Sequence, residues 1–180
     1  VVFTSDNGFS CGQHGFWGKG NGTYPPNMYE NSVKVPFVIS QPGAIEQGVV
    51  QREMVSAYDF MPTLLDYAGL PLPTGRNLPG QSFAPLLRGE GLGRDEVVVY
   101  DEYGGTRMLR TREWKYVHRY PDGPCELYDL VNDLDERVNR ADDASQVERI
   151  GALRDQLEAW FARYVAVSYT HLTLPTNPEV

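Results

Sequence analysis

The sequence predicts an α/β segment followed by a small α+β unit, and three observations carry that reading. Two apolar runs, residues 1–3 and 35–40, read as buried strands, with an apolar-striped helix beyond them. Four short strand candidates then crowd between Glu96 and Leu130. Finally, Val147, Ile150, Leu153, Leu157, Trp160, Phe161 and Tyr164 recur every three or four positions, the period of an amphipathic helix.

Taken in order, the first run ends at Thr4-Ser5-Asp6-Asn7-Gly8 and leads into a glycine-rich loop. Pro36 sits near the start of the second strand, where a missing donor is tolerated, and Gln41-Pro42-Gly43 turns the chain. Residues 59–68 read as a helix, with Asp59 as cap, Pro62 in the first turn and Gly69 past the last. Phe60, Leu64, Leu65 and Ala68 would form its buried stripe. A short helix follows Ser82, with Phe83, Leu86 and Leu87 inward. Strand, helix and strand at this spacing predict the tail of a doubly wound parallel sheet.

The glycine-rich stretch 89–94 marks a boundary, dividing an α/β portion (1–92) from an antiparallel-sheet-plus-helix subdomain (93–165). Its strands are 96–100, 107–111, 114–119 and 126–130, with hairpin tips at Arg112-Glu113 and Pro121-Asp122-Gly123. Strands this close in sequence pair antiparallel. Ser145 is the expected cap of the final helix. Residues 166–180 form a separate tail. Its Ser168-Tyr169-Thr170-His171-Leu172-Thr173-Leu174-Pro175-Thr176 resembles translated sequencing-adapter read-through, so the tail is read as non-native and set outside the fold.

The 180 residues suffice to bury a core, and 41% hydrophobic with 22% charged residues is an ordinary globular composition. No run of eighteen apolar residues exists to span a membrane as a helix. Sixteen basic against 24 acidic residues give a net charge of −8, which argues against a nucleic-acid surface. Cys11 and Cys125 allow at most one disulfide, and two free thiols is the reading adopted.

The chemistry concentrates at the end of the first strand, where ligands gather in open α/β sheets. Asp6 and Asn7 offer oxygen donors suited to a hard cation such as Ca²⁺ or Mg²⁺. On the following loop, Lys19 between Gly18 and Gly20 suits an anionic group held against that cation, with the glycines letting backbone approach a ligand. Asp-Asn-Gly is also ordinary turn chemistry, and a loop lysine is ordinarily solvated. The pattern as a whole reads as a site for a sulfate or phosphate ester, against a net negative charge that the metal and Lys19 would have to reverse locally.

Ser5-Asp6-Asn7-Gly8, Gly15-Phe16-Trp17-Gly18-Lys19-Gly20 and Tyr29-Glu30-Asn31-Ser32-Val33-Lys34-Val35-Pro36 resemble successive motifs of the sulfatases, in the alkaline-phosphatase-like superfamily. Tyr58-Asp59-Phe60-Met61-Pro62-Thr63-Leu64-Leu65, Leu78-Pro79-Gly80-Gln81-Ser82 and Glu126-Leu127-Tyr128-Asp129-Leu130 continue the resemblance in order to about Tyr164. It implies the C-terminal part of an α/β/α sandwich and a sulfuric ester hydrolase acting on a sulfated small molecule or carbohydrate. It also implies Asp6 and Asn7 as Ca²⁺ ligands and Lys19 as a catalytic, sulfate-binding residue. His14 is a second catalytic and substrate-binding candidate, balanced against a purely local role. Glu30 matches a family position and would orient Lys19 or the loop backbone. By position alone, Tyr103, Arg107 and His118 are candidates to touch the leaving group, although His118 reads first as a sheet-face residue.

The family's nucleophile is a formylglycine made from Cys or Ser with Pro at the second and Arg at the fourth following position. Neither cysteine fits, and in Ser40-Gln41-Pro42-Gly43-Ala44 an alanine replaces the arginine. The expectation is therefore a C-terminal fragment, inactive alone, with the nucleophile and remaining metal ligands upstream. The alternatives are a phosphomonoesterase or phosphodiesterase of the same superfamily, or a non-catalytic relative that binds anions or carbohydrate. The acidic run Asp129, Asn132, Asp133, Asp135 and Glu136 reads as a solvated turn, because Arg137 breaks any calcium-loop pattern. Compartment stays open, the resemblance favouring a periplasmic or extracellular one.

Overall fold

The computed structural model describes residues 1–75, 77–101, 105–121 and 123–164. Tyr103, the Asp122 position of the second hairpin tip and the tail of residues 166–180 lie outside the described residues.

The anchor of the fold is a four-stranded antiparallel sheet in the order β5 (Glu96–Tyr100), β6 (Thr106–Thr111), β7 (Trp114–Arg119) and β8 (Glu126–Asp129). Its two faces follow from the period of two along each strand. One cross-strand row, Val98, Leu109, Tyr116 and Leu127, faces helix α4 (Val147–Tyr164) and packs on Leu153, Leu157, Trp160 and Phe161. Burying an aliphatic or aromatic side chain of this kind contributes roughly 1.5–3 kcal/mol each. The opposite face carries Met108 and Val117, which pack on Met28. The sheet therefore has α4 behind it and the segment containing Met28 in front.

Residue 143, not 145, caps the 3₁₀ turn that leads into α4: the Asp143 carboxylate accepts from the Ser145 N–H at 2.9 Å, while the Ser145 hydroxyl is spent on that same carboxylate. Asp is as good a cap as Ser, and it sits where the 3₁₀ turn Ala144–Gln146 begins.

The N-terminal part is smaller in regular structure. β1 (Val2–Thr4) pairs with β4 (Phe37–Ile39), with Val2 opposite Ile39 and Thr4 opposite Phe37. This pairing is antiparallel, against the parallel pairing the sequence predicted. Parallel neighbours are usually joined by a crossover helix. Here the intervening chain instead forms a short hairpin, β2 (Ser10–Cys11) with β3 (Trp17–Gly18), and a single helical turn, α1 (Glu30–Val33).

Helix α2 (Phe60–Tyr67) lies where the sequence put it, but its buried face is different. Pro62 and Thr63 are buried while Leu64 and Ala68 are exposed. Hydrogen bonds decide the rotation: the Thr63 hydroxyl donates to the Asp59 carbonyl at 2.7 Å and accepts from the Phe83 N–H at 2.9 Å. That turns the Thr63 face toward α3 (Ala84–Leu87), whose Ala84 and Leu86 are buried. Asp59 occupies the N-cap position of α2 as expected, but its side chain makes no cap bond to that helix. It closes a capping box with Ser56, accepting from the Ser56 N–H at 2.8 Å.

Candidate active site

The site is assembled around one short segment, residues 27–33, which touches each part of the predicted constellation. Gly8, next to Asp6 and Asn7, donates its N–H to the Ser32 carbonyl at 2.9 Å. Asn31 donates to the hydroxyl of buried Ser10 in β2. The Asn27 N–H donates to the carbonyl of Gly20, beside Lys19, at 2.9 Å, and the Ser32 hydroxyl donates to the Asn27 side chain at 2.6 Å. The ring of His14 lies flat on Tyr29, centroids 3.6 Å apart and planes within 2° of parallel.

Two glycines make this packing possible. A Cβ on Gly8 would stand 2.0 Å from the Asn31 carbonyl oxygen, and one on Gly20 would stand 2.5 Å from that of Asn27. Gly20 is buried, so its role is contact with residues 27 and 32, not the ligand approach expected from sequence.

Asp6 and Lys19 are exposed and Asn7 is half-buried. The donor set at the end of β1 fits part of a hard-cation shell. Asn7 spends its Nδ2 on the Gly8 carbonyl at 2.7 Å, and its Oδ1 takes no part in that bond. Asp6 engages Oδ1 with the Asn7 N–H at 2.9 Å and retains a second oxygen. Two adjacent donors are well short of the six to eight that Ca²⁺ takes. Among the described residues, no group of three or more His, Cys, Asp or Glu forms a metal shell.

His14 has φ of 54°, in the left-handed region, where the neighbouring glycines and the Tyr29 stack hold it. Its position is thereby fixed by packing, while its exposure leaves the ring edge available. Arg107 and His118 are not available in the same way. Arg107 is buried with its guanidinium 3.9 Å from both the Tyr120 and Phe161 rings. His118 is buried, with Nδ1 2.9 Å from the Tyr116 hydroxyl. Burial, and then the charge of Arg154, hold its pKa below the ordinary histidine value. Both cysteines are free thiols, Cys11 exposed and Cys125 half-buried.

Glu30, Lys115 and Glu136 form a charged cluster behind the site. The Lys115 side chain is fully buried; its ammonium donates to the Met28 carbonyl at 2.9 Å and lies 2.9 Å from Glu30 and 2.6 Å from Glu136. The Glu136 contact is a charge contact without hydrogen-bond geometry at Oε1, while Oε2 accepts from the Glu30 N–H at 2.6 Å. Arg110 adds a guanidinium fork on Glu30 at 2.9 and 3.3 Å. Burial raises the Glu30 pKa, but Lys115 and Arg110 outweigh it, and the carboxyl titrates below its usual range. Burial dominates at Glu136, whose pKa is raised despite Lys115. Sequence reasoning placed Glu136 in a solvated turn and missed Lys115. The available signal was a lysine between Trp114 and Tyr116, two positions from Val117 on its own face of the strand.

Residues 12–163 match the model of the N-sulphoglucosamine sulphohydrolase C-terminal family. The chain belongs to the sulfatase family. This sulfatase chain is 36% identical to human arylsulfatase K over 156 residues, covering 78% of the chain and 27% of that protein. It is 31% identical to N-acetylglucosamine-6-O-sulfatase of Bacteroides thetaiotaomicron over 176 residues, covering 91% and 30%. Its fold, mixed α/β of the alkaline-phosphatase-like kind, matches the structure of BT4656 in complex with its substrate D-glucosamine-2-N,6-O-disulfate. The TM-score there is 0.77 at 31% identity, over 91% of this chain and 34% of that one. Phosphonate monoester hydrolase of Agrobacterium radiobacter is also similar, with a TM-score of 0.73 at 29% identity over 90% of this chain and 34% of that one. The chain thus spans 27–34% of the length of these relatives.

Proposed function

We propose that this chain supplies the cation-facing and anion-facing wall of an active site that hydrolyses sulfate esters. The observation that carries this is the convergence of Asp6-Asn7, His14 and Lys19 on residues 27–33, in a chain of sulfatase family. The Asp6 carboxylate and the Oδ1 of Asn7 would hold Ca²⁺, which supplies positive charge against the ester oxygens when bound. The Lys19 ammonium would contact a sulfate oxygen and oppose charge that builds as the ester bond breaks, an electrostatic role without proton transfer. The His14 edge, steadied by Tyr29, would hydrogen-bond the substrate. Formylglycine, which the family resemblance implies, supplies a nucleophile; no Cys or Ser here has Pro and Arg at the required positions. The likeness to a glucosamine disulfate complex favours a sulfated sugar as substrate.

The likeness to phosphonate monoester hydrolases supports a second reading, phosphonate or phosphate ester hydrolysis on the same scaffold. One assay separates the two. The intact protein carrying this chain is expected to hydrolyse p-nitrophenyl sulfate, with loss of turnover on chelation and in Asp6→Ala. Turnover of a phenylphosphonate monoester without turnover of the sulfate would overturn the sulfatase reading in favour of the second.

A further inference from the structure

We propose that Lys115, on the antiparallel sheet, is a positioning residue for the candidate site, acting through Met28, Glu30 and Glu136 on residues 27–33. The inference rests on the sulfatase reading for its consequence in activity, but its geometry stands apart from it.

Lys115 reaches the site only through others. Its ammonium holds the Met28 carbonyl and the Glu30 carboxylate, at 2.9 Å each. Glu136 completes the clamp by accepting the Glu30 N–H at 2.6 Å, with its own backbone in the left-handed region at φ 54°. Tyr29, which carries His14 on its ring, lies between the two held residues, Met28 and Glu30. Asn27, Asn31 and Ser32, on either side of them, hold the Gly20, Ser10 and Gly8 contacts. A shift of this segment therefore moves the supports of Asp6-Asn7, His14 and Lys19 together.

A fully buried lysine is costly as a purely structural device, since an apolar residue of similar volume stabilises as well or better. The sheet face beside it, Met108 and Val117 against Met28, is already apolar. What the ion cluster adds over apolar packing is direction: it fixes one carbonyl and one carboxylate in a set orientation. Lys115 and Arg110 meet Glu30 and Glu136 there, and the exposed Lys34 lies 3.9 Å from Glu30, so each carboxylate has a cation beside it.

The test uses the double variant Lys115→Met with Glu136→Gln, which removes one charge of each sign and leaves Glu30 paired with Arg110. Lys115→Met alone strands a buried carboxylate and serves only as a folding control. In the double variant, the His14 ring proton resonances are expected to lose the shielding imposed by the Tyr29 face, while the Tyr116 and Trp160 core resonances persist. The KM for p-nitrophenyl sulfate in the intact protein is expected to rise at least fivefold. Lys115→Arg with Glu136 intact is expected to recover part of both effects. Unchanged His14 resonances in the folded double variant would overturn the positioning role. Absence of sulfate turnover in the wild-type protein would count against the sulfatase reading alone, because the His14 readout needs no turnover.

Discussion

The Cα of Gly8 packs so closely on the Asn31 carbonyl that a Cβ there would sit 2.0 Å from the oxygen. The contact joins the Asp6-Asn7 pair to the segment that also carries Tyr29. Backbone stands on both sides, so no flexible side chain can yield. Gly8→Ala is expected to destabilise by about 1–3 kcal/mol through overpacking. It is also expected to weaken Ca²⁺ binding, read by calorimetric titration of the intact protein. A variant with wild-type melting and Ca²⁺ affinity would contradict this packing.

Lys19 is exposed, and its removal should not unfold the chain. If its ammonium opposes charge in the transition state, Lys19→Ala in the intact protein should lower kcat by roughly 10²–10³-fold, the scale of losing one preorganised charge contact. The thermal midpoint should stay within a degree or so of wild type, as is usual for a surface substitution. A small kinetic effect with an intact melt would place Lys19 outside the reacting region.

Asp59 organises a different junction. It is 1% exposed and accepts from the Ser56 and Gln81 N–H groups at 2.8 Å each and from Arg94 Nε at 2.7 Å. Arg94 also donates to the Pro79 carbonyl and stacks 4.5 Å from the Tyr58 ring centroid. Asp59→Ala leaves that guanidinium without its buried counter-charge and two N–H groups without their acceptor, at a cost of about 3–5 kcal/mol. Urea unfolding measures it; a loss under 1 kcal/mol would mean that water replaces the carboxylate.

His118 gives a pH dependence with a defined sign. Its folded pKa lies below the ordinary 6.5, so the unfolded chain binds the proton more tightly. The contribution is present above about pH 6.5 and is lost as pH falls through the folded value. The thermal midpoint should therefore decline as pH is lowered from 7 toward 5, and His118→Phe should flatten that decline. Parallel curves for the two proteins would assign the decline to other groups.

Periodicity and turn chemistry determined much of this chain. The 3–4 spacing over Val147–Tyr164 specified α4, and closely spaced β-rich runs specified the antiparallel sheet, because local pattern dictates which face an element buries. Ordered motifs likewise identified the family, and they nominated Asp6, Asn7, His14 and Lys19 as candidate site residues. Local pattern was a poor guide where contacts between distant residues decided. The rotation of α2 is set by Thr63 bonding across to Phe83, twenty positions on, and the β1–β4 direction by the path of the loop between them. Lys115 and Glu136 looked like a strand lysine and a turn glutamate. Only the folded chain brings them beside Glu30, from 85 and 106 positions away, and burial then turns surface charges into an obligatory pair.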